Sequence, residues 1–123
     1  MKPEAQFEVD LRNIAPHFGC EYIKIPDVIP LRRYGKIIAH QRPFDAVLVT
    51  PKITYVIECK VNYNNLAPHQ TRYRERVDEI NGSFVVLRKI FLKKKIKYRI
   101  ELLDGKYETD DIRDIFIKLI KGD

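Results

Sequence analysis

The sequence predicts an α/β domain, a central mixed β-sheet of four to five strands flanked by helices, and three observations carry that expectation. Apolar residues recur at helical spacing near the start of the chain, as Phe7, Leu11, Ile14 and Phe18, and again near its end. Between these stretches stand apolar runs of strand length, among them Asp45-Ala-Val-Leu-Val-Thr50 and Thr54-Tyr-Val-Ile-Glu-Cys-Lys60. The elements alternate as helix, strands, helix, strands, helix over 123 residues, enough for one domain with a single modest core.

The first amphipathic helix is expected over about residues 3–18, with Gly19 as its stop. Residues 20–25 alternate loosely and read as a first strand, ended by Pro26. Residues 30–43 hold Arg32, Arg33, Tyr34, Lys36, His40 and Arg42 around Gly35, which predicts a mobile basic loop with room for a short strand at 36–39. The two central strands follow at 44–50 and 54–60, and their nearly continuous apolar residues predict burial on both faces. Asn62, Asn64 and Asn65 make a polar connection to a second helix. Pro68 suits that helix's first turn, Tyr73, Val77 and Ile80 form its expected inward stripe, and Asn81-Gly82 ends it. Residues 83–92 and 95–103 read as neighbouring strands, with Asp104-Gly105 as a turn. Thr109 is the expected cap of a last helix that begins with Asp110 and Asp111 and turns Ile112, Ile115, Phe116, Leu119 and Ile120 inward.

With 45% apolar and 33% charged residues the chain is an ordinary globular one, which excludes a disordered segment. A net charge of +6 and a pI near 9.3 favour an anionic partner, most plausibly nucleic acid, and charge alone leaves a merely basic solvated surface as an equal alternative. Cys20 and Cys59 form neither a zinc-type cluster nor a disulfide scaffold, and Cys59, inside an apolar strand run, is expected reduced and buried. A basic leader with an apolar core is absent, and no apolar run approaches membrane-spanning length. The expectation is a soluble, intracellular, cytoplasmic protein with no membrane partner. Without a glycine-rich phosphate loop, no nucleotide cofactor is expected either.

The chemistry concentrates between Asp45 and Lys60. Residues two apart in a strand share a face, so Glu58 and Lys60 stand together while Tyr55, Ile57 and Cys59 take the other side. If the two runs pair as a hairpin across Pro51-Lys52, Asp45 comes to lie near Glu58. Two carboxylates converging beside an ammonium make an oxygen-ligand site for Mg²⁺, with a cation aimed at the same phosphate, as a metal-dependent phosphodiesterase requires. The plain alternative is that Lys60 merely neutralises Glu58 at a strand end. A carboxylate inside Tyr-Val-Ile-Glu-Cys costs several kcal/mol to bury without a partner, a cost that a bound cation relieves.

Pro43-Phe44-Asp45, followed after a short hairpin by Glu58-Cys59-Lys60, resembles the signature of the PD-(D/E)XK nuclease superfamily. Leu66-Ala-Pro-His69-Gln70 opens the next helix, where many members carry a Gln, and Phe7-Glu8 lies on the first helix, where many place a Glu. With Ile25-Pro26 and with Gly82 before Phe84-Val85-Val86-Leu87, residues 4–90 are most similar to the RecU-type Holliday junction resolvases, and next to the VRR-NUC nucleases. Two departures stand out. A Phe separates Pro43 from Asp45, and the chain is short for the stalk-like insertion that RecU-type enzymes push into a junction.

The resemblance implies a restriction-endonuclease-like core and divalent-metal hydrolysis of DNA. Asp45 and Glu58 would bind Mg²⁺ or Mn²⁺, joined by the Cys59 backbone carbonyl. Lys60 would position or help activate the attacking water and stabilise charge in the transition state. Glu8 would be a further ligand, direct or through water, with Glu4 one turn earlier competing for the role and a solvated helix face as the alternative. Gln70 would hydrogen-bond the water, the phosphate or Lys60, unless it is plain helix surface. A homodimer would be needed to cut two strands symmetrically. Junction, flap, end-acting and ordinary duplex nucleases share all these residues, and a non-catalytic nucleic-acid-binding module could stand on the same core.

Arg32, Arg33, Lys36 and Arg42 directly precede Asp45 and are expected to contact DNA at the mouth of the site. Arg72, Arg74 and Arg76 follow Gln70, and Arg74, one turn on, is the expected DNA contact among them. Lys93, Lys94, Lys95 and Lys97 are either a phosphate-tracking patch or a solvated turn between strands. Tyr34 and Tyr63 offer rings for base stacking or for ordinary packing.

Overall fold

Pro3 sits in the first turn of α1 (Pro3–Ile14), where its missing N–H leaves no bond unmade, and Phe7 and Leu11 bury one stripe completely. The α-helix stops four residues short of the expected end because Pro16 cannot donate to the Arg12 carbonyl. A single 3₁₀ turn, Ala15–Phe18, carries the chain on to Gly19, whose left-handed φ of 71° closes it. The computed structural model describes residues 1–26, 28–33, 36–41, 44–79 and 83–122, with 28–33 and 36–41 described by their backbone.

Six strands among the described residues form the main sheet, one more than the most expected. They are β1 (Glu21–Lys24), β4 (Ala46–Val49), β5 (Thr54–Val61), β6 (Phe84–Phe91), β7 (Ile96–Leu102) and β8 (Gly105–Thr109), in that spatial order. Pairing is antiparallel throughout except between β5 and β6, which run parallel. Parallel neighbours need a crossover, and α2 (Pro68–Glu79) supplies it. The remaining strands, β2 (Val28–Arg33) and β3 (Lys36–Gln41), pair antiparallel in a separate two-stranded sheet. The segment expected as a mobile loop is therefore a hairpin of two six-residue strands, inserted between β1 and β4. Its Val28, Ile29, Leu31, Ile37 and Ile38 are strand-favouring residues, a signal that the density of basic residues obscured except at the short strand expected over 36–39.

The sheet's two faces differ in kind. Phe7, Leu11, Tyr22, Leu48, Tyr55, Ile57, Cys59, Val85, Leu87 and Ile100 build one apolar core with α1 and with α3 (Arg113–Lys121). Phe18 stacks on Phe116, and the Tyr55 hydroxyl donates to the Leu119 carbonyl at 2.7 Å. The opposite face, towards α2, is mixed: buried Phe84, Val86 and Ile90 share it with Glu58, Lys60, Arg88, Arg99 and Glu101, placed on one side by the register Glu58↔Val86, Lys60↔Arg88, Arg88↔Arg99 and Val86↔Glu101. Against the expected burial on both faces, β5 buries Glu58 on this second face and leaves Val56 and Lys60 half-buried, while β4 leaves Val47 half-buried and Val49 exposed. The expected apolar stripe of α2 is not buried: Tyr73 is 43% exposed, Val77 half-buried, and the one buried residue among those described in the helix is Gln70. Ile80 and the expected Asn81-Gly82 stop lie outside the described residues.

The unexpected sixth strand, β8, is a polar edge whose Glu108 is held by Lys97 and Arg99 across β7. Short charged edges of this kind resist pairing with another chain, and their weak hydropathy makes them hard to read from sequence. The last helix starts at Arg113 and not at Asp110, because the Thr109 hydroxyl accepts from the Asp111 N–H in a turn ahead of the helix. Its inner face is the expected one, with Ile115, Phe116 and Leu119 buried. Among the described residues no helix is long and apolar enough to cross a membrane.

Candidate metal centre

Asp45 stands one residue ahead of β4, and Ala46 pairs with Ile57, so Asp45 lies beside Glu58 across the β4–β5 hairpin. Both ends of its backbone are tied into the sheet: its N–H donates to the Ile57 carbonyl at 3.0 Å and its carbonyl accepts from the Ile25 N–H at 2.8 Å. The side chain is aimed as well, since the Cys59 N–H donates to Asp45 Oδ2 at 2.7 Å. Asp45 and Glu58 are both buried, at 0% and 1% exposure, so the pair is held in a low-dielectric place where like charges repel strongly.

Gln70 fixes Glu58 from above. It is the third residue of α2, and its Oε1 accepts from the N–H of Ala67, the residue just before the helix, at 2.8 Å. That is the backward half of a capping box. Its Nε2, left free by this bond, donates to Glu58 Oε1 at 2.6 Å. The same oxygen lies 3.9 Å from the Lys60 ammonium, which is largely buried on the same face of β5. One amide thus starts a helix and orients a carboxylate.

α1 contributes two acids, one turn apart, to two overlapping groups. Glu4, Asp45 and Glu58 place a carboxylate oxygen each within 4.8 Å of one another. Glu8 reaches Asp45 from the other side, in a second group of the same tightness that includes the Cys59 thiol. Glu8 is also engaged by β1: the Tyr22 hydroxyl donates to its Oε1 at 2.8 Å and the Lys24 ammonium to its Oε2 at 2.6 Å. Tyr22 and Lys24 alternate on β1, and that spacing is the signal in the sequence that could have found them. With its proton on Glu8, the Tyr22 oxygen accepts the Cys59 S–H at 3.5 Å.

Burial, more than any neighbour, pushes the Cys59 thiol well above its ordinary range, and it does the same to the Tyr22 phenol with smaller contributions from Cys59 and Glu8. Both groups stay neutral in the fold. Because Cys59 ionises more readily once unfolded, its contribution to stability is complete below pH 9 and declines as pH rises above it. At pH 8 Cys59 is expected to resist iodoacetamide in the native protein and to react within minutes in guanidinium. Mass spectrometry of trapped peptides measures this, and fast native labelling of Cys59 would contradict its burial.

The other residues singled out in the sequence are less close to this centre or less fully seen. Arg74 is half-buried on α2. Arg32 and Arg33 lie on β2 and Lys36 on β3, their side chains outside the described residues, as is Arg42 altogether. Tyr63 is exposed with the Arg99 guanidinium 5.3 Å from its ring centroid.

No family model matches this sequence, and no curated protein does. A solved structure matches along most of its length: Hjc of Archaeoglobus fulgidus, a Holliday junction resolvase from an archaeal hyperthermophile, covers 86% of this chain with 85% of its own, at a TM-score of 0.52 and 18% identity. The chain shares the fold of a Holliday junction resolvase. It is the restriction-endonuclease-like fold expected from the Asp45 and Glu58-Cys59-Lys60 pattern, with a sheet of six strands where four to five were expected. Within this resolvase fold the hairpin and the β5–α2–β6 crossover are what bring Asp45, Glu58, Lys60 and Gln70 to one place.

Proposed function

We propose that the protein is a divalent-metal-dependent endonuclease that hydrolyses DNA phosphodiester bonds, with branched, junction-like DNA as its preferred substrate. The observation that carries this reading is the convergence of half-buried Glu4 with buried Asp45 and Glu58 beside Lys60, on a fold shared with a junction resolvase. A cluster of carboxylates beneath one ammonium is poorly suited to holding DNA alone, since acids repel phosphates. Its donor set, hard oxygens only, fits Mg²⁺ or Mn²⁺.

Asp45 and Glu58 would hold the ion together with the Cys59 backbone carbonyl, and Glu4 or Glu8 would complete the set from α1. When bound, the ion supplies Lewis-acid polarisation of the phosphate and activation of water. Cys59 N–H and Gln70 keep the two carboxylates in place, so little reorganisation is needed when charge develops. Lys60 holds its ammonium beside Glu58, where it would balance negative charge on the phosphate and orient the attacking water. Arg32, Arg33, Lys36, Arg42 and Arg74 would contact the flanking DNA backbone. A homodimer would present two such sites for paired cuts.

The test is cleavage of labelled four-way junction, flap and linear duplex by the purified protein with Mg²⁺, Mn²⁺ or EDTA. Metal-dependent cutting, strongest on the four-way junction, is the expected result. Equal cutting of all substrates would leave a general nuclease of the same fold. Salt-sensitive binding without cutting in any lane would replace the nuclease with a nucleic-acid-binding module.

A further inference from the structure

The lysine run of the β6–β7 turn is a basic motif that the metal centre does not use. The turn is tight: the Leu92 N–H donates to the Lys95 carbonyl at 2.9 Å, and Lys93 and Lys94 occupy its tip. Of the three turn lysines only Lys95 has a carboxylate near among the described residues, exposed Asp110 at 4.0 Å. Lys93 and Lys94 are exposed and make no ion pair among the described residues. Elsewhere on this sheet Lys97 and Arg99 are paired with Glu108, and buried Arg88 with Glu101. The tip therefore keeps an uncompensated positive charge, flanked by exposed Phe91, Leu92 and Ile96.

Its position is set by the register. Lys60 pairs with Arg88 in parallel, so β6 runs on past the metal centre in the direction in which β5 ends. Glu58 pairs with Val86 and Leu92 is six residues beyond it, which at strand rise places the tip roughly 20 Å past the carboxylates of the metal centre. The tip and the centre stand at the same end of the sheet, the C-terminal end of its parallel pair, where ligands of α/β sheets gather. One strand of DNA advances about 3.4 Å per nucleotide along the helix axis, so this offset corresponds to about six base pairs.

We infer that the β6–β7 tip is a second DNA contact, in which Lys93, Lys94 and Lys95 bind backbone phosphates of the duplex about six base pairs from the one at the metal centre. This rests on the nuclease reading for its ligand and adds to it a duplex arm of defined minimum length. Charge complementarity selects the partner: three close ammonium groups on a projecting turn match successive phosphates and not a neutral or cationic surface. The half-exposed Leu92 and Ile96 would rest against the sugar edge between them.

The experiment is salt-dependent binding of the intact protein and of Lys93→Gln/Lys94→Gln/Lys95→Gln to duplexes of increasing length, in EDTA so that no cutting occurs. Each lost phosphate contact lowers the slope of log K against log salt by about 0.9, so a fall of about 2 to 3 is expected, with affinity about tenfold or more weaker at 0.1 M salt. The difference should vanish on duplexes too short to reach the tip. An unchanged slope in a variant with an unchanged melting temperature overturns the inference. So does loss of binding to anionic phosphatidylserine vesicles with DNA binding intact, which would make the tip a membrane contact. Cleavage is scored separately: binding that depends on the tip without any cutting removes the nuclease reading and leaves this one standing.

Discussion

For the nuclease proposed above, replacing Glu58 by Gln is expected to remove DNA cleavage, by roughly a thousandfold or more, while DNA binding is kept or tightened. The expectation follows from geometry. Glu58 is buried, shares a group of oxygens with Asp45 and Glu4, and is touched by both Gln70 and Lys60. The amide keeps the shape and still accepts from Gln70, so the fold should persist. What is lost is one negative charge from the set that would hold the ion. The same loss reduces repulsion of the phosphate, which is why binding should not weaken. Single-turnover cleavage with saturating Mg²⁺, beside a binding titration in EDTA, separates the two effects. A variant that cuts at the normal rate would remove Glu58 from the chemistry, and Lys60 would then read as its plain counter-ion.

Replacing Glu101 by Ala destabilises the protein by about 3–5 kcal/mol, the usual cost of stripping one partner from a buried ion pair. Arg88 and Glu101 face each other across β6 and β7, both largely withdrawn from water, and Arg99 approaches the same carboxylate at 3.9 Å. Arg88 also ties down a loop, since its Nη1 donates to the carbonyls of Asn64 at 2.6 Å and of Asn62 at 3.3 Å. Those residues form the connection from β5, which carries Glu58 and Lys60, to α2, which carries Gln70. Asn62 takes a left-handed φ of 50° there, and its side chain accepts from the Phe91 N–H at 3.0 Å. The single change should lower Tm by roughly 10–20 °C. The double change Arg88→Met with Glu101→Leu should recover most of that, because it leaves no lone charge behind. A Tm that moves no more in the single variant than in the double one would show that the pair carries no buried charge worth compensating.

Much of the fold was legible because it follows from local periodicity. The stripe Phe7, Leu11, Ile14, Phe18 and the inner face Ile115, Phe116, Leu119 sort themselves by spacing alone, and both pack where that spacing directs them. The closeness of Asp45 and Glu58 was equally local, since two apolar runs joined by a short turn can pair in few ways. What failed did so where charge overrode hydropathy. The basic segment hides β2 and the hairpin it makes with β3, the polar edge hides β8, and α2 buries Gln70 on Glu58 in place of the expected apolar stripe.

The sequence by itself therefore determined the order of the elements, the apolar face of the sheet and the alternation that sets Glu58 and Lys60 together, because each depends only on residues close along the chain. Which acids of α1 meet Asp45 was decided by tertiary packing. Glu4 and Glu8 lie on the same helix face one turn apart, and helical spacing treats them alike. Only the way α1 crosses the sheet brings Glu4 to Asp45 and Glu58, and Glu8 to Tyr22, Lys24 and Cys59. A helix's own period says which residues face inward; the angle and depth at which it docks say what they touch.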